Sequence, residues 1–239
     1  MCALYPDLMN IYADRGNLLL LRKRCEWRGI GFELRGAGLG EPLDPDAHDL
    51  FYLGGGQDRD QALCARDLVA TKRDALHAAA ERGAVVFGVC GGFQLLGHGY
   101  QLGDETLPGT ALVDLETVRE PGPRLIGNVA IEVALDGARV LAGFENHGGR
   151  TRLGAGARPL GRVLHGHGND GRSGWEGVRG GRHGTVIGTY LHGPLLPKNA
   201  WFADWLTAAA LGLDPAGLAP LDDGLEDAAH AAARRAAGL

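Results

Sequence analysis

The chain has 239 residues, 45% of them apolar and 22% charged, with a net charge of −5. These proportions exclude a fibrous or disordered polymer and predict one sizeable globular domain, alone or with a small appendage. Lysine occurs only at positions 23, 72 and 198, which excludes a basic footprint for nucleic acid or anionic lipid.

Asp14 as an N-cap predicts a helix running to about Arg28, with Leu18, Leu21, Arg22 and Cys25 on one face and Gly29 as its terminator. Leu18 to Leu21 is the longest aliphatic run and stops at Arg22, far short of the roughly 20 apolar residues of a membrane helix. The opening Met-Cys-Ala-Leu-Tyr-Pro-Asp has none of the marks of a signal peptide. Ile30 to Leu34 and Leu50 to Leu53 then read as short strands, the second stopping at Gly54-Gly55-Gly56. A helix is marked from Leu68 to Arg82 and ended by Gly83. The unbroken apolar run Ala84 to Val89 predicts a central strand buried on both faces, and after Cys90 a helical stretch covers Gly92 to about Leu96.

The second half is less regular. Apolar alternation at 111–118 and 126–135 predicts strands, and the glycine-rich stretch from Gly143 to Gly184 predicts more strands and long loops. Val186 to Leu191 reads as a strand ending at His192, and Trp201 to Leu211 as a closing helix. The Ala-rich tail, Asp222 to Leu239, is helix-prone with its acids first and Arg234-Arg235 last, either frayed or docked on another chain. Strands alternating with helices predict an α/β fold: an open, mostly parallel sheet flanked by helices over residues 1–212, followed by an Ala-rich, helix-prone tail over 213–239.

The strongest chemical signal is Gly88-Val89-Cys90-Gly91-Gly92 at a strand-to-helix junction, a cysteine version of the nucleophile elbow. A side chain on the flanking glycines would collide with the neighbouring strand or helix. A cysteine at a helix N-terminus is biased toward thiolate. The same pattern is also compatible with a buried cysteine in a tight turn. Cys2, Cys25 and Cys64 form no Cys-x-x-Cys pair and read as reduced thiols. A thiolate that attacks an acyl group needs a proton donor for the leaving group, and His192 is the candidate, since ligands of open α/β sheets gather at the carboxyl ends of strands. Backbone N–H groups of Gly54 to Gly56, above all Gly55 and Gly56, together with Gly91, are candidates for an oxyanion hole; a plain turn is the alternative for the glycine run.

His165 and His167 with His147 or His183 complete no recognisable metal spacing, so no metal site is expected. Residues 166–171 match Gly-x-Gly-x-x-Gly without a preceding long strand or following helix, which argues against a dinucleotide site. No phosphate-binding Gly-Lys-Ser/Thr motif is present, so no cofactor is expected in this chain.

Four stretches carry a resemblance: Tyr-Pro-Asp-Leu-Met-Asn-Ile-Tyr-Ala-Asp-Arg-Gly-Asn (5 to 17), Gly-Val-Cys-Gly-Gly-Phe-Gln-Leu-Leu-Gly (88 to 97), Gly-Phe-Glu-Asn-His-Gly-Gly-Arg-Thr (143 to 151) and Gly-Thr-Tyr-Leu-His-Gly-Pro-Leu-Leu-Pro-Lys-Asn (188 to 199). In this order they resemble the class I glutamine amidotransferases of the cobyric acid synthase type, and more narrowly the glutaminase subunits of lipid II isoglutaminyl synthases. The resemblance implies a flavodoxin-like amidotransferase fold and a cytoplasmic enzyme that hydrolyses L-glutamine. It also implies a heterodimer with a Mur-ligase-like (MurT-type) synthetase subunit that receives the ammonia, holds ATP and metal, and carries lipid II as acceptor. By position it makes Cys90 the nucleophile, His192 the acid and base, and Arg124 the residue that holds the substrate, where physics alone would leave a solvated arginine beside a turn. One departure stands out: many such enzymes carry His-x-Glu, whereas position 194 here is Pro194, which leaves a carboxylate from elsewhere in the chain, one from the partner, or none to orient the imidazole, with the partner as the expected source. Competing readings are another cysteine hydrolase on a similar elbow, a non-catalytic subunit, and an amidotransferase for a corrin acceptor.

Overall fold

A computed structural model describes residues 1–10 and 15–239. Its central sheet has six strands in the order β13-β14-β4-β3-β1-β2, formed by β1 (Cys2–Leu4), β2 (Arg35–Ala37), β3 (Leu50–Leu53), β4 (Val85–Val89), β13 (Val178–Gly180) and β14 (Val186–Thr189). All neighbours are parallel except β13, which runs antiparallel along the β14 edge. Every residue of β3, β4 and β14 is buried, as strands covered on both faces require.

The first helix, α1 (Arg15–Trp27), packs with α5 (Ala200–Ala210) on the face that carries Tyr52 and Phe87: Asn17 donates to the Tyr52 hydroxyl at 3.1 Å and Phe202 meets the Phe87 ring edge-on. On the opposite face lies α4 (Gly91–Leu95), close against Gly88 and tied through Gln61 to α2 (Asp58–Asp67). The predicted helix over 68–82 is longer at its start. It begins as α2, widens into a π turn over Leu68–Lys72 and continues as α3 (Arg73–Arg82), ending at Gly83 with φ +101°. At the π turn Lys72, fully buried, bonds Asp67 at 2.5 Å, and Asp67 also accepts the Tyr5 hydroxyl at 2.7 Å.

Two predicted features change. The strand expected over 30–34 forms instead as β2 at 35–37, because Cys2 pairs with Arg35 and β1 therefore offers no partner to earlier residues. On α1 the buried arginine is Arg24, not Arg22, which is exposed and lies over the Phe32 ring. Arg24 bonds both Asp204 and Asp223 at 2.6 Å. The expected cap at Asp14 falls outside the described residues.

The irregular second half builds two four-stranded sheets. One runs β10-β7-β5-β6, from β5 (Gly99–Leu102), β6 (Glu105–Pro108), β7 (Leu115–Arg119) and β10 (Gly149–Leu153). The other runs β12-β11-β8-β9, from β8 (Leu125–Ala134), β9 (Ala138–His147), β11 (Gly161–His165) and β12 (Trp175–Glu176). The tail forms α6 (Gly224–Ala236), which docks on its own chain: Ala233 and Ala237 pack with Ala130 and Ala142, Asn128 donates to the Ala236 carbonyl at 2.8 Å, and the His230 ring bonds the Lys198 carbonyl at 2.9 Å. No described helix is long and apolar enough to cross a membrane.

Candidate active site

Three parallel strands deliver the candidate residues to one end of the sheet. Cys90 follows β4, Gly54 to Gly56 follow β3, and His192 lies just beyond β14. Strands β4 and β14 are held in register to their ends, where the Cys90 N–H donates to the Thr189 carbonyl at 2.9 Å. Cys90 itself adopts φ +54°, ψ −108°, a conformation that L-residues avoid and that turns its side chain out of the strand. The surrounding glycines are required by space. A Cβ on Gly88 would come within 2.9 Å of Gly92 backbone, and one on Gly92 within 2.0 Å of the Leu53 carbonyl oxygen.

The Gly54–Gly56 run does meet the elbow, with one difference from expectation. Gly54 contributes its carbonyl, which accepts the Gly92 N–H at 3.0 Å. The Gly56 nitrogen lies 3.1 Å from where a Cβ of Gly91 would stand. Gly55, Gly56 and Gly91 thus adjoin one another beside Cys90.

His192 is fixed by its backbone to β9: its N–H donates to the Phe144 carbonyl at 2.9 Å, and the Phe144 N–H returns to the His192 carbonyl at 3.2 Å. Burial, then the neighbouring His147, Lys198 and Arg124, lower its pKa to about 4, against a hydrogen bond to Asn146 backbone that raises it. The imidazole is therefore neutral at neutral pH. Arg124 converges on the same Asn146, its Nε donating to the side-chain oxygen and Nη2 to the backbone carbonyl, both at 2.7 Å. The exposed guanidinium that the sequence singled out thus shares Asn146 with His192 and acts on the imidazole through its charge.

Beneath the elbow runs a buried polar chain that no motif announced. Gln61 donates to Gln94 at 2.8 Å, Gln94 to the Tyr190 hydroxyl at 3.1 Å, and that hydroxyl pairs with Thr151 at 2.6 Å. Gln94 and Tyr190 fall within the recognisable stretches, but their spacing gives no hint that they meet; Gln61 carried no signal. His147 stacks on the Tyr190 ring, centroids 3.5 Å apart, and donates through Nδ1 to the Gly149 carbonyl at 2.8 Å. Its neighbour Glu145 is fully buried and accepts the N–H groups of His167 at 2.6 Å and Gly168 at 3.0 Å. The nucleotide-like glycine loop over 166–171 is thus a backbone cradle for a carboxylate of the protein itself. A second buried carboxyl, Glu176, accepts the Tyr190 N–H at 2.6 Å and contacts the Thr189 hydroxyl at 3.0 Å, bracing the strand end that leads to His192. Burial, with Glu145 adding to it, overcomes the hydrogen bonds that favour the charged form and pushes the Glu176 pKa to about 8. Among the described residues no cluster of histidine, cysteine and carboxylate ligands suited to a metal ion occurs.

The strained cysteine at the end of β4, the neutral histidine just beyond the neighbouring β14 and the glycine turn after β3 thus lie at one end of the sheet, the set of groups that acyl transfer through a thioester calls for. Residues 1–200 match the model of the CobB/CobQ-like glutamine amidotransferase domain. The chain belongs to that family. Among CobB/CobQ-like amidotransferases it is 37% identical over 209 residues to the lipid II isoglutaminyl synthase (glutamine-hydrolyzing) subunit GatD of Streptococcus pneumoniae, covering 87% of this chain and 78% of that one. It is 39% identical over 205 residues to the subunit GatD of Staphylococcus aureus, covering 85% and 81%. A cobyric acid synthase of Synechococcus is 36% identical over 207 residues, yet they make up only 37% of that longer protein. In three dimensions PurLQS of Thermotoga maritima superposes with a TM-score of 0.62 at 20% identity, over 88% of this chain and 96% of that one. The α/β amidotransferase fold expected from the sequence is the fold observed.

Proposed function

We propose that this chain is the glutamine-hydrolysing subunit of a lipid II isoglutaminyl synthase. The observation that carries this is the Cys90 elbow, at φ +54° beside the strand that leads to His192, in a chain whose similarity to two GatD subunits runs over most of its length. Arg124 pairs with the α-carboxylate of L-glutamine while the carboxamide enters between Cys90 and the glycine turn. The Cys90 sulfur attacks the carboxamide carbon as its proton passes to His192, and the N–H groups of Gly55, Gly56 and Gly91 receive the negative oxygen. His192 returns the proton to the departing nitrogen, the C–N bond breaks, and ammonia leaves a γ-glutamyl thioester. Water, deprotonated by His192, then cleaves the thioester to glutamate and regenerates the thiol.

The ammonia passes to a Mur-ligase-like, MurT-type partner in a cytoplasmic heterodimer. That partner holds ATP and metal and amidates the D-glutamate of lipid II to D-isoglutamine. It also supplies the carboxylate that orients His192. Position 194 is Pro194, Glu145 is taken up by His167 and Gly168, and Glu176 by Tyr190 and Thr189. Glutamate release by the purified chain is expected to be weak, to rise on adding the partner, and to vanish in Cys90→Ala. Equal activity with and without partner overturns the shared-carboxylate arrangement. No glutamate under any condition overturns the glutaminase assignment.

A further inference from the structure

The β13–β14 turn lies at the amino-terminal end of β14, the end of the sheet remote from Cys90. There it encloses, with the segment before β11, a cleft of about 680 Å³ lined by Arg158, Arg179, Arg182 and His183 against Leu135 and Leu160. Arg158 and Arg179 oppose one another across an isolated antiparallel bridge, the Arg179 N–H donating to the Arg158 carbonyl at 2.8 Å. Residues paired in this way hold their Cβ atoms roughly 4.5–5.5 Å apart on one face, and like charges so placed repel. Arg24, Arg28, Arg152, Arg162 and Arg172 each hold a carboxylate. Among the described ion pairs none engages Arg158, Arg179 or Arg182.

Arg179 is the built part of this cleft. Its Nε donates to the Gly184 carbonyl at 3.0 Å and its guanidinium lies 5.5 Å above the Trp205 ring. A Cβ on Gly184, which has φ +67°, would come within 2.9 Å of that Nε, so the glycine makes the room. Burial and the adjacent Arg158 both push the Arg179 pKa down. His183 is anchored at 3.0 Å to the Glu81 carbonyl. No carboxylate is among the residues that line the cleft, and Asp114, which accepts the N–H of the lining residue Gly156 at 3.0 Å, also pairs with His98 at 3.1 Å. A cost in repulsion without an internal counter-charge is what an anion site looks like when empty of its ligand's charge.

We propose that this cleft binds a soluble organic diphosphate. A diphosphate carries about three negative charges at neutral pH, which balances three guanidiniums. Its oxygens suit the guanidinium fork, and its organic part has Leu135, Leu160 and Pro159 to lie against. The volume falls within the roughly 300–1,000 Å³ of small-molecule sites.

Calorimetric titration and thermal melting of the full chain, with inorganic pyrophosphate and ADP as probes and citrate as a trivalent carboxylate control, test the proposal. Pyrophosphate and ADP are expected to bind and to raise the melting temperature. Arg158→Ser and Arg182→Ser, both at exposed positions, are each expected to weaken binding about tenfold or more. Without any anion Arg158→Ser is expected to melt at or above the parent, because the opposed charge is gone. Absence of heat and melting shift with millimolar pyrophosphate, an equal response to citrate, or unchanged binding in both Arg158→Ser and Arg182→Ser overturns the site. Binding of pyrophosphate without ADP overturns an organic ligand.

Discussion

Cys90 is held at φ +54°, ψ −108°, a strained backbone that costs about 1–3 kcal/mol for a residue with a Cβ. Glycine at this position sheds that cost. Cys90→Gly and Cys90→Ala should both lose glutaminase activity, and the glycine variant should melt higher than the alanine one; the reverse order would mean that the turn stores no strain. His192 makes a pH prediction. Its folded pKa, about 4, lies below the ordinary 6.5, so its contribution to stability is complete above pH 6.5 and is lost as pH falls toward 4. The acid limb of kcat/KM for the isolated chain should therefore fall nearer pH 4 than pH 6.5, and a carboxylate brought by the partner should move it upward. Glu176 has the opposite sign: its pKa is raised from 4.5 to about 8, so its contribution is complete below pH 4.5 and fades as pH rises through 8. Glu176→Gln, which keeps the shape and stays neutral, should flatten the fall in melting temperature across that interval. Arg124→Lys keeps the charge and loses the fork, so KM for glutamine should rise about tenfold with a smaller change in kcat. At this scale the sequence shows Cys90 and His192 because each sits in a stretch whose glycines have a mechanical reason. Glu176 and Gln61 stay invisible because their importance comes from complete burial, which no local pattern encodes.

The elements legible in the sequence are those with a strong period or a clear stop. Strands β3 and β4 form close to their expected bounds, and α3 ends where Gly83 supplies the left-handed conformation. Strand β2 begins later than local propensity predicts because pairing partners decide where an edge strand begins. The π turn at Leu68–Lys72 answers to Tyr5 and Asp67, groups brought together by tertiary packing. On α1 the same blindness puts Arg22 on the buried face and leaves out Arg24, whose burial depends on acids at positions 204 and 223. Burial alone would lower the pKa of Arg24, and the bonds to Asp204 and Asp223 reverse this and raise it. Removing this fully buried guanidinium takes the bidentate partner from Asp223 and leaves Asp204 to Arg28 alone. Arg24→Ala should cost about 3–5 kcal/mol, and Arg22→Ala no more than about 0.5 kcal/mol, as read by urea unfolding of each variant.

Across the whole molecule the order β13-β14-β4-β3-β1-β2 joins strands made early to strands made late. Residues 1–89 contain β1 to β4, a four-stranded parallel half with its own helices, yet β4 meets β14 only after almost a hundred further residues that build the two smaller sheets. During synthesis, then, Val85 to Val89, an apolar strand in the finished fold, is the open edge of a half-made sheet. An unpaired apolar edge is a template for the wrong partner, and long-range parallel pairing closes slowly. A ribosome-released fragment ending before Val178 should aggregate where the full chain does not, as light scattering would show. The residue that carries the thiol is thus the last of its neighbourhood to be sealed: on a growing chain Cys90 waits, next to an exposed edge, for the strand that brings His192.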